Sequence, residues 1–60
     1  MYVVRVDRQA RGSQPITVWL KSTLPERWGP REQAVAFKTK GDARRAAEAV
    51  KAVGWILEDA

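Results

Sequence analysis

The chain has 60 residues, of which 45% are hydrophobic and 30% charged, a composition typical of a folded domain rather than a disordered segment. A chain of this length buries only about 60% of the surface that its unfolded form exposes, so we expect one domain, residues 1–60, without a deep cleft. Cysteine and histidine are absent, which excludes the usual zinc ligands, thiol nucleophiles, disulfides and histidine bases. Eleven basic residues against seven acidic ones give a net charge of +4.

The first two predicted elements are strands. Apolar and polar side chains alternate along residues 2–8, where Tyr2, Val4 and Val6 share one face. The same alternation recurs in residues 16–21. Residues 10–15 between them contain glycine, serine and proline, which are typical of a turn. These features predict an antiparallel hairpin.

Residues 22–33 break the alternation. Pro25, Gly29 and Pro30 interrupt this polar stretch, which predicts a loop that is long for so small a domain. Trp28 lies near its centre, and a large aromatic ring usually packs against other residues. We therefore expect an ordered loop with a function.

A third strand and a helix are predicted next. Alternation resumes in residues 34–38, where Val35 and Phe37 are expected to point inward. Thr39 is a favourable N-cap, and Asp42 three residues later suits the positive end of the helix dipole. Apolar residues at spacings of three and four then predict a helix with a narrow apolar stripe. The stripe comprises Ala43, Ala46, Ala47, Val50 and Val53.

The end of the chain completes the predicted fold. Gly54 is expected to end the helix as its C′ residue. The apolar residues 55–57 either form a short fourth strand or pack under the helix. The predicted fold is α+β: a three-stranded antiparallel sheet with one C-terminal helix packed on one face, in the order β-β-β-α, with or without a fourth strand at 55–57.

No residue pattern indicates catalysis. The carboxylates lack a spacing typical of acid–base pairs or calcium loops, and the four glycines are isolated, so no phosphate-binding loop is present. We therefore predict a protein that is not an enzyme, with no catalytic residue, metal, cofactor or small-molecule substrate. No apolar run reaches the roughly 18 residues of a membrane span and no signal sequence is recognisable, which predicts a cytoplasmic protein without a membrane partner.

The positive charge is distributed unevenly. Residues 1–45 contain ten basic and four acidic residues, whereas residues 46–60 contain one and three. The excess therefore belongs to the predicted sheet, its loops and the start of the helix. Basic side chains beside an exposed tryptophan are typical of nucleic-acid binding, because they neutralise phosphates while the ring stacks on a base. The predicted contacts are Arg5, Lys21, Arg27, Arg31 and Lys38 to phosphates, with Trp19 and Trp28 as stacking groups.

Two other interpretations use the same face of the sheet. In the first, Val3, Trp19, Ala34 and Ala36 form an apolar strip that binds an acidic protein partner or a second copy of the chain. In the second, Trp28 folds back over Trp19, and the covered face has no deducible function. The exposure of the two rings separates these interpretations.

Residues 36–43 resemble a known signature. Phe37, Thr39, Lys40 and Ala43 match the Phe-x-Thr-Lys-x-x-Ala pattern of the arm-type DNA-binding domain of phage tyrosine integrases, which has an AP2-like fold. The resemblance implies three strands followed by a helix, and a sheet that enters the DNA major groove. The order of elements also resembles that of small orphan proteins encoded by phages and prophages, which implies a binding role such as that of an inhibitor or adaptor.

Overall fold

The computed structural model describes residues 1–9, 12 and 15–60. Within these residues the fold is α+β, with a four-stranded antiparallel sheet in the order β3-β2-β1-β4 and one α-helix, which confirms the predicted class. None of the helices in this described part of the chain has the length and apolar character needed to cross a membrane. The elements are β1 (Tyr2–Gln9), β2 (Pro15–Thr23), β3 (Glu26–Gly29), a 3₁₀ helix (Arg31–Gln33), α1 (Lys40–Ala49) and β4 (Trp55–Asp59).

Strands β1 and β2 form the predicted hairpin, with Arg5 opposite Trp19 and Val6 opposite Val18. Period-two alternation therefore directs alternate apolar side chains of both strands toward α1, among them Val4 and Leu20, which are completely buried. Of the predicted turn at 10–15, residues 10, 11, 13 and 14 lie outside the described residues. Gly12 is exposed and has a φ of 76°.

The predicted loop at 22–33 is instead mostly regular structure. Strand β2 continues to Thr23, a two-residue turn at Leu24 and Pro25 with a cis peptide bond follows, and β3 pairs back on β2. A bulge between Leu20 and Ser22 shifts the register, so that Trp28 lies opposite Leu20 and packs against the buried core. Pro25 and Pro30 flank β3 and Gly29 is its last residue, so the sequence pattern indicated a loop. The strand has only four residues, and its Trp28 packs against the core.

Residues 34–38 do not form the predicted third strand. Only Phe37 pairs with β1, through hydrogen bonds of 2.7 and 2.8 Å with the backbone of Tyr2. The Val35 N–H donates to the Leu20 carbonyl at 3.0 Å, so this segment occupies the gap where β1 and β2 diverge beyond the bulge. Val35 and Phe37 do pack against the core as expected.

Helix α1 begins as predicted. The Asp42 backbone N–H donates to Thr39 Oγ1 at 3.1 Å, which satisfies one of the free donors of the first turn. The buried face of the helix consists of Ala43, Ala46 and Ala47. Because alanine has no side-chain atom beyond Cβ, the helix backbone packs closely on Val4 and Leu20.

The helix ends earlier than predicted. Its last helical residue is Ala49, and Lys51, with a φ of 55°, takes the C′ position that the sequence assigned to Gly54. The Lys51 N–H donates to the Glu48 carbonyl at 3.0 Å and the Ala52 N–H to the Ala47 carbonyl at 3.1 Å, the two bonds of a Schellman motif. Val53 is 86% exposed and is not part of the apolar stripe, because it belongs to the connection that leads back to the sheet.

The fourth strand, which the sequence left open, is present as β4. It pairs antiparallel with β1, with Trp55 opposite Val6 and Leu57 opposite Val4. Gly54, with a φ of 71°, allows the chain to turn from α1 into this strand. Trp55 and Leu57 pack against the core and complete the layer under the helix.

Candidate nucleic-acid interface

The face of the sheet opposite α1, here called the outer face, carries Arg5, Trp19, Lys21 and Arg27 of the residues predicted to bind nucleic acid. Arg5 lies at its centre, opposite Trp19 on one side and Ile56 on the other. Trp19 is half-buried and Ile56 is 44% exposed. The ring, the guanidinium stem and the aliphatic side chain thus form one row across three strands.

Two carboxylates neutralise Arg5. Its Nη1 lies 2.8 Å from Glu58 Oε2 and its Nη2 lies 3.1 Å from Asp7 Oδ2. Hydrogen bonds to Glu58 and then to Asp7 are the main causes of the raised pKa of Arg5. Arg5 is therefore held in place by the chain itself.

The same carboxylates accept hydrogen bonds from β2. Trp19 Nε1 donates to Glu58 Oε1 at 2.7 Å, and this bond, followed by that from Arg5, lowers the pKa of Glu58. Thr17 Oγ1 donates to Asp7 Oδ1 at 2.8 Å, and this bond, followed by that from Arg5, lowers the pKa of Asp7. Around Arg5, the outer face thus has a fixed polar network in which the cation is already paired with carboxylates.

Arg31 joins this network from the 3₁₀ helix. Its Nε lies 3.6 Å from Glu58 Oε1, and its Nη2 donates to the Asp59 carbonyl at 2.9 Å. The sequence analysis did not identify Glu58 as part of the site. Extending the period-two alternation from 55–57 to residue 58 would have placed Glu58 on the outer face beside Ile56.

One end of the outer face is already covered. Val3 is only 3% exposed, although it points away from α1. It lines a shallow pocket of about 230 Å³ together with Ala34, Ala36 and residues of the 3₁₀ helix. The predicted apolar strip is therefore a pocket at this end, with Trp19 further along β2.

The two candidate stacking groups lie on opposite faces. Trp28 is on the α1 side, half-buried against the core, and its Nε1 donates to Glu26 Oε2 at 2.8 Å. The Arg8 guanidinium lies 5.1 Å from the centre of its ring. The interpretation in which Trp28 covers Trp19 is wrong, and no single surface presents both rings.

The remaining predicted contacts are cations of the sheet and the bridging segment. Lys21 is half-buried, and a Cβ added at Gly29 would lie 2.5 Å from its Cδ, so the lysine stem crosses Gly29. Arg27 is exposed on β3, and Lys38 is exposed directly after Phe37. Within the described part of the chain, these three side chains form no ion pair with a carboxylate.

Comparisons of the chain with protein-family models, curated proteins and solved structures find no match. The resemblance at residues 36–43 therefore remains a prediction. The residues of that signature have structural roles here: Phe37 packs against the core, Thr39 caps α1 and Ala43 is buried. Lys40 Nζ lies 5.7 Å from the centre of the Tyr2 ring. In residues 1–9, 12 and 15–60, no group of three or more acidic residues is arranged to hold a metal ion.

Proposed function

We propose that the protein binds nucleic acid, with phosphate contacts from Lys21, Arg27 and Lys38. The observation that carries this proposal is the division of the cations among the described residues. Four arginines form ion pairs with carboxylates of the chain, whereas six cations form none. The paired residues are Arg5, Arg31, Arg44 and Arg45, and the others are Arg8, Lys21, Arg27, Lys38, Lys40 and Lys51.

In this proposal we assign Arg5 and Arg31 a role other than the predicted phosphate contacts. Because Glu58 contacts both guanidinium groups, a phosphate would have to compete with a carboxylate already in place. Their function in this proposal is to hold Glu58, and Glu58 in turn holds the Trp19 indole by its N–H. The ring is thereby fixed on the outer face next to Lys21.

Trp19 supplies the stacking contact. Base–aromatic stacking contributes about 1–3 kcal/mol per base and tolerates any sequence. A ring whose orientation is already fixed loses little freedom when a base packs on it. The proposal is therefore sequence-tolerant binding, with affinity from phosphates and one stacked base.

The salt dependence of binding tests the proposal. Three phosphate contacts predict a slope of log K against log salt of about −2 for a single strand and about −3 for a duplex. Fluorescence anisotropy with labelled single-stranded DNA, duplex DNA and RNA across a salt series measures the affinity and its slope for each nucleic acid. No binding at low salt, or binding indifferent to salt, would exclude nucleic acid as the ligand.

Two variants of equal charge localise the interface. The double variant Lys21→Gln/Arg27→Gln removes two cations of the proposed interface and is expected to reduce both the affinity and the slope. The control Arg44→Gln/Arg45→Gln removes two cations that pair with Glu48 and Asp42 on α1. Equal losses in both would mean that net charge alone, and not this surface, attracts the nucleic acid.

A protein partner is the second candidate function. The pocket beside Val3, with Ala34 and Ala36 in its lining, and the exposed Ile56 on β4 favour it. An acidic protein or a second copy of the chain would bury this apolar surface under a rim of basic residues. Sedimentation at increasing concentration tests self-association, and Ile56→Ser is expected to weaken it. A protein that stays monomeric at all concentrations would exclude self-association as the function of this surface.

A further inference from the structure

A cleft on the α1 side of the sheet is not used by the proposed interface. It has a volume of about 300 Å³ and opens between Trp28 and the connection from α1 to β4. This volume lies at the lower end of the range of small-ligand sites in proteins. Its lining consists of Val6, Asp7, Arg8, Glu26, Trp28, Val50, Lys51, Ala52 and Val53.

The aromatic wall of the cleft is held in a fixed orientation. Trp28 packs against the core on β3, and its indole N–H donates to Glu26. Arg8 extends over the ring at 5.1 Å from its centre. A planar aromatic ligand could stack on this ring either in place of the guanidinium or between it and the indole, since arginine stacks on aromatic faces and on bases.

The charges that line the cleft favour an anion. Asp7 is paired with Arg5, whereas Glu26 accepts from the neutral Trp28 indole and keeps its negative charge, so the cations Arg8 and Lys51 outnumber the one carboxylate of the cleft that is not neutralised. Within the described residues, neither Arg8 nor Lys51 forms an ion pair. Two cations and one flat ring therefore face the same space.

Lys51 adds an independent observation. It has a φ of 55°, in the left-handed region that normally selects glycine at a helix C′ position. Non-glycine residues in this region are strained and occur preferentially at functional sites. A lysine that lines a cleft at such a position is consistent with a requirement for its ammonium group.

We propose that this cleft binds a nucleotide, with the base stacked on Trp28 and the phosphate contacting Lys51 and Arg8. The nucleotide is either a free nucleoside monophosphate or one unit of a single strand, and only the second form rests on the proposed function. No sequence pattern indicates this small-molecule site, because its three side chains come from β3, β1 and the connection that follows α1.

Titrations followed by two-dimensional NMR test the proposal. The probes are AMP, adenosine, ribose 5-phosphate and an eight-nucleotide oligo-dA, and the readouts are the Trp28 indole signal and the backbone amides of Lys21 and Arg27. From the shift of the Trp28 signal, AMP is expected to have a dissociation constant at least ten-fold lower than that of adenosine or ribose 5-phosphate. A Trp28 signal unmoved by both AMP and oligo-dA would overturn the proposal.

The combination of signals distinguishes the two proposals. Oligo-dA that shifts Lys21 and Arg27, while neither oligo-dA nor AMP shifts Trp28, supports the nucleic-acid interface and refutes the cleft. AMP that shifts Trp28, when oligo-dA leaves Lys21 and Arg27 unmoved, supports a free-nucleotide site and refutes the interface. Oligo-dA that moves all three signals supports the cleft as a site for one unit of a strand.

Variants of two exposed residues of the cleft complete the test, because their substitution does not change the packing of the core. Arg8→Gln and Lys51→Gly are both expected to weaken AMP binding at least five-fold. The control Arg44→Gln removes a cation that pairs with Glu48 on α1, outside the cleft, and is expected to leave AMP binding unchanged. Undiminished AMP binding in both cleft variants would refute the assignment of the phosphate contacts.

Discussion

Replacement of Lys51 by glycine is expected to stabilise the fold. An L-residue in the left-handed region loses roughly 1–2 kcal/mol, and Lys51 is there with a φ of 55°. Glycine removes this strain but raises the entropy of the unfolded chain by about 0.5–1 kcal/mol. The difference leaves a gain of about 0.5–1 kcal/mol, which corresponds to a rise in Tm of roughly 2–8 °C for a domain of this size.

Two controls separate backbone strain from the side chain. Lys51→Ala removes the ammonium but keeps the left-handed strain, so its stability should stay near that of the parent. Gly54→Ala is the reverse change: φ is 71° and an added Cβ would meet no atom within 4 Å, so any loss comes from the backbone alone. Urea unfolding followed by tryptophan fluorescence measures all three. Equal stabilities of Lys51→Gly and Lys51→Ala, or a neutral Gly54→Ala, would refute the reasoning.

Two further predictions concern the core and the outer face. Leu20→Ala is expected to lower the free energy of unfolding by about 2–5 kcal/mol, because it leaves a cavity at a fully buried position. This is a large part of the roughly 3–9 kcal/mol of stability expected for 60 residues. The control Leu24→Ala, at a 92% exposed position, should change the urea midpoint little. Because the folded-state pKa values of Glu58 and Asp7 are lowered, their contribution to stability is present above their ordinary values of 4.5 and 3.8 and is lost as the pH falls below them. Urea midpoints measured from about pH 6 to about pH 2 should therefore fall on acidification, with a shallower fall in Glu58→Gln; parallel profiles would contradict the role of Glu58.

The local patterns predicted most of the fold. Tyr2, Val4 and Val6 of β1 share one face, and Thr39 followed by an alanine stripe defines the start and buried face of α1, so these elements follow from short-range spacing. The third strand was misplaced because β3 is only four residues long, ends in Gly29 and lies between Pro25 and Pro30. The segment around Phe37 looks like a strand in sequence, but only the divergence of β1 from β2 determines that it forms a single bridge.

The candidate site was less predictable than the fold. The spacing of Arg5, Trp19 and Lys21 correctly placed all three side chains on one face. The contacts of Arg5 and Trp19 with Glu58 could not be predicted without the β1–β4 register, which joins positions more than fifty residues apart. Likewise, the cleft beside Trp28 depends on the bulge at Leu20 and on an early helix end.

The strand order also determines which part of the sheet is costly to close during folding. Pairing Gln9 with Pro15 encloses five residues, whereas pairing Val6 with Trp55 encloses 48. A loop about ten times longer costs about 2 kcal/mol more in chain entropy. Helix α1 lies inside the longer loop, and its ten residues span only about 15 Å when helical. A helix that forms early therefore lowers the entropic cost of pairing β4 with β1. Because Thr39 caps α1, we expect it to affect the rate of folding as well as the stability of the fold.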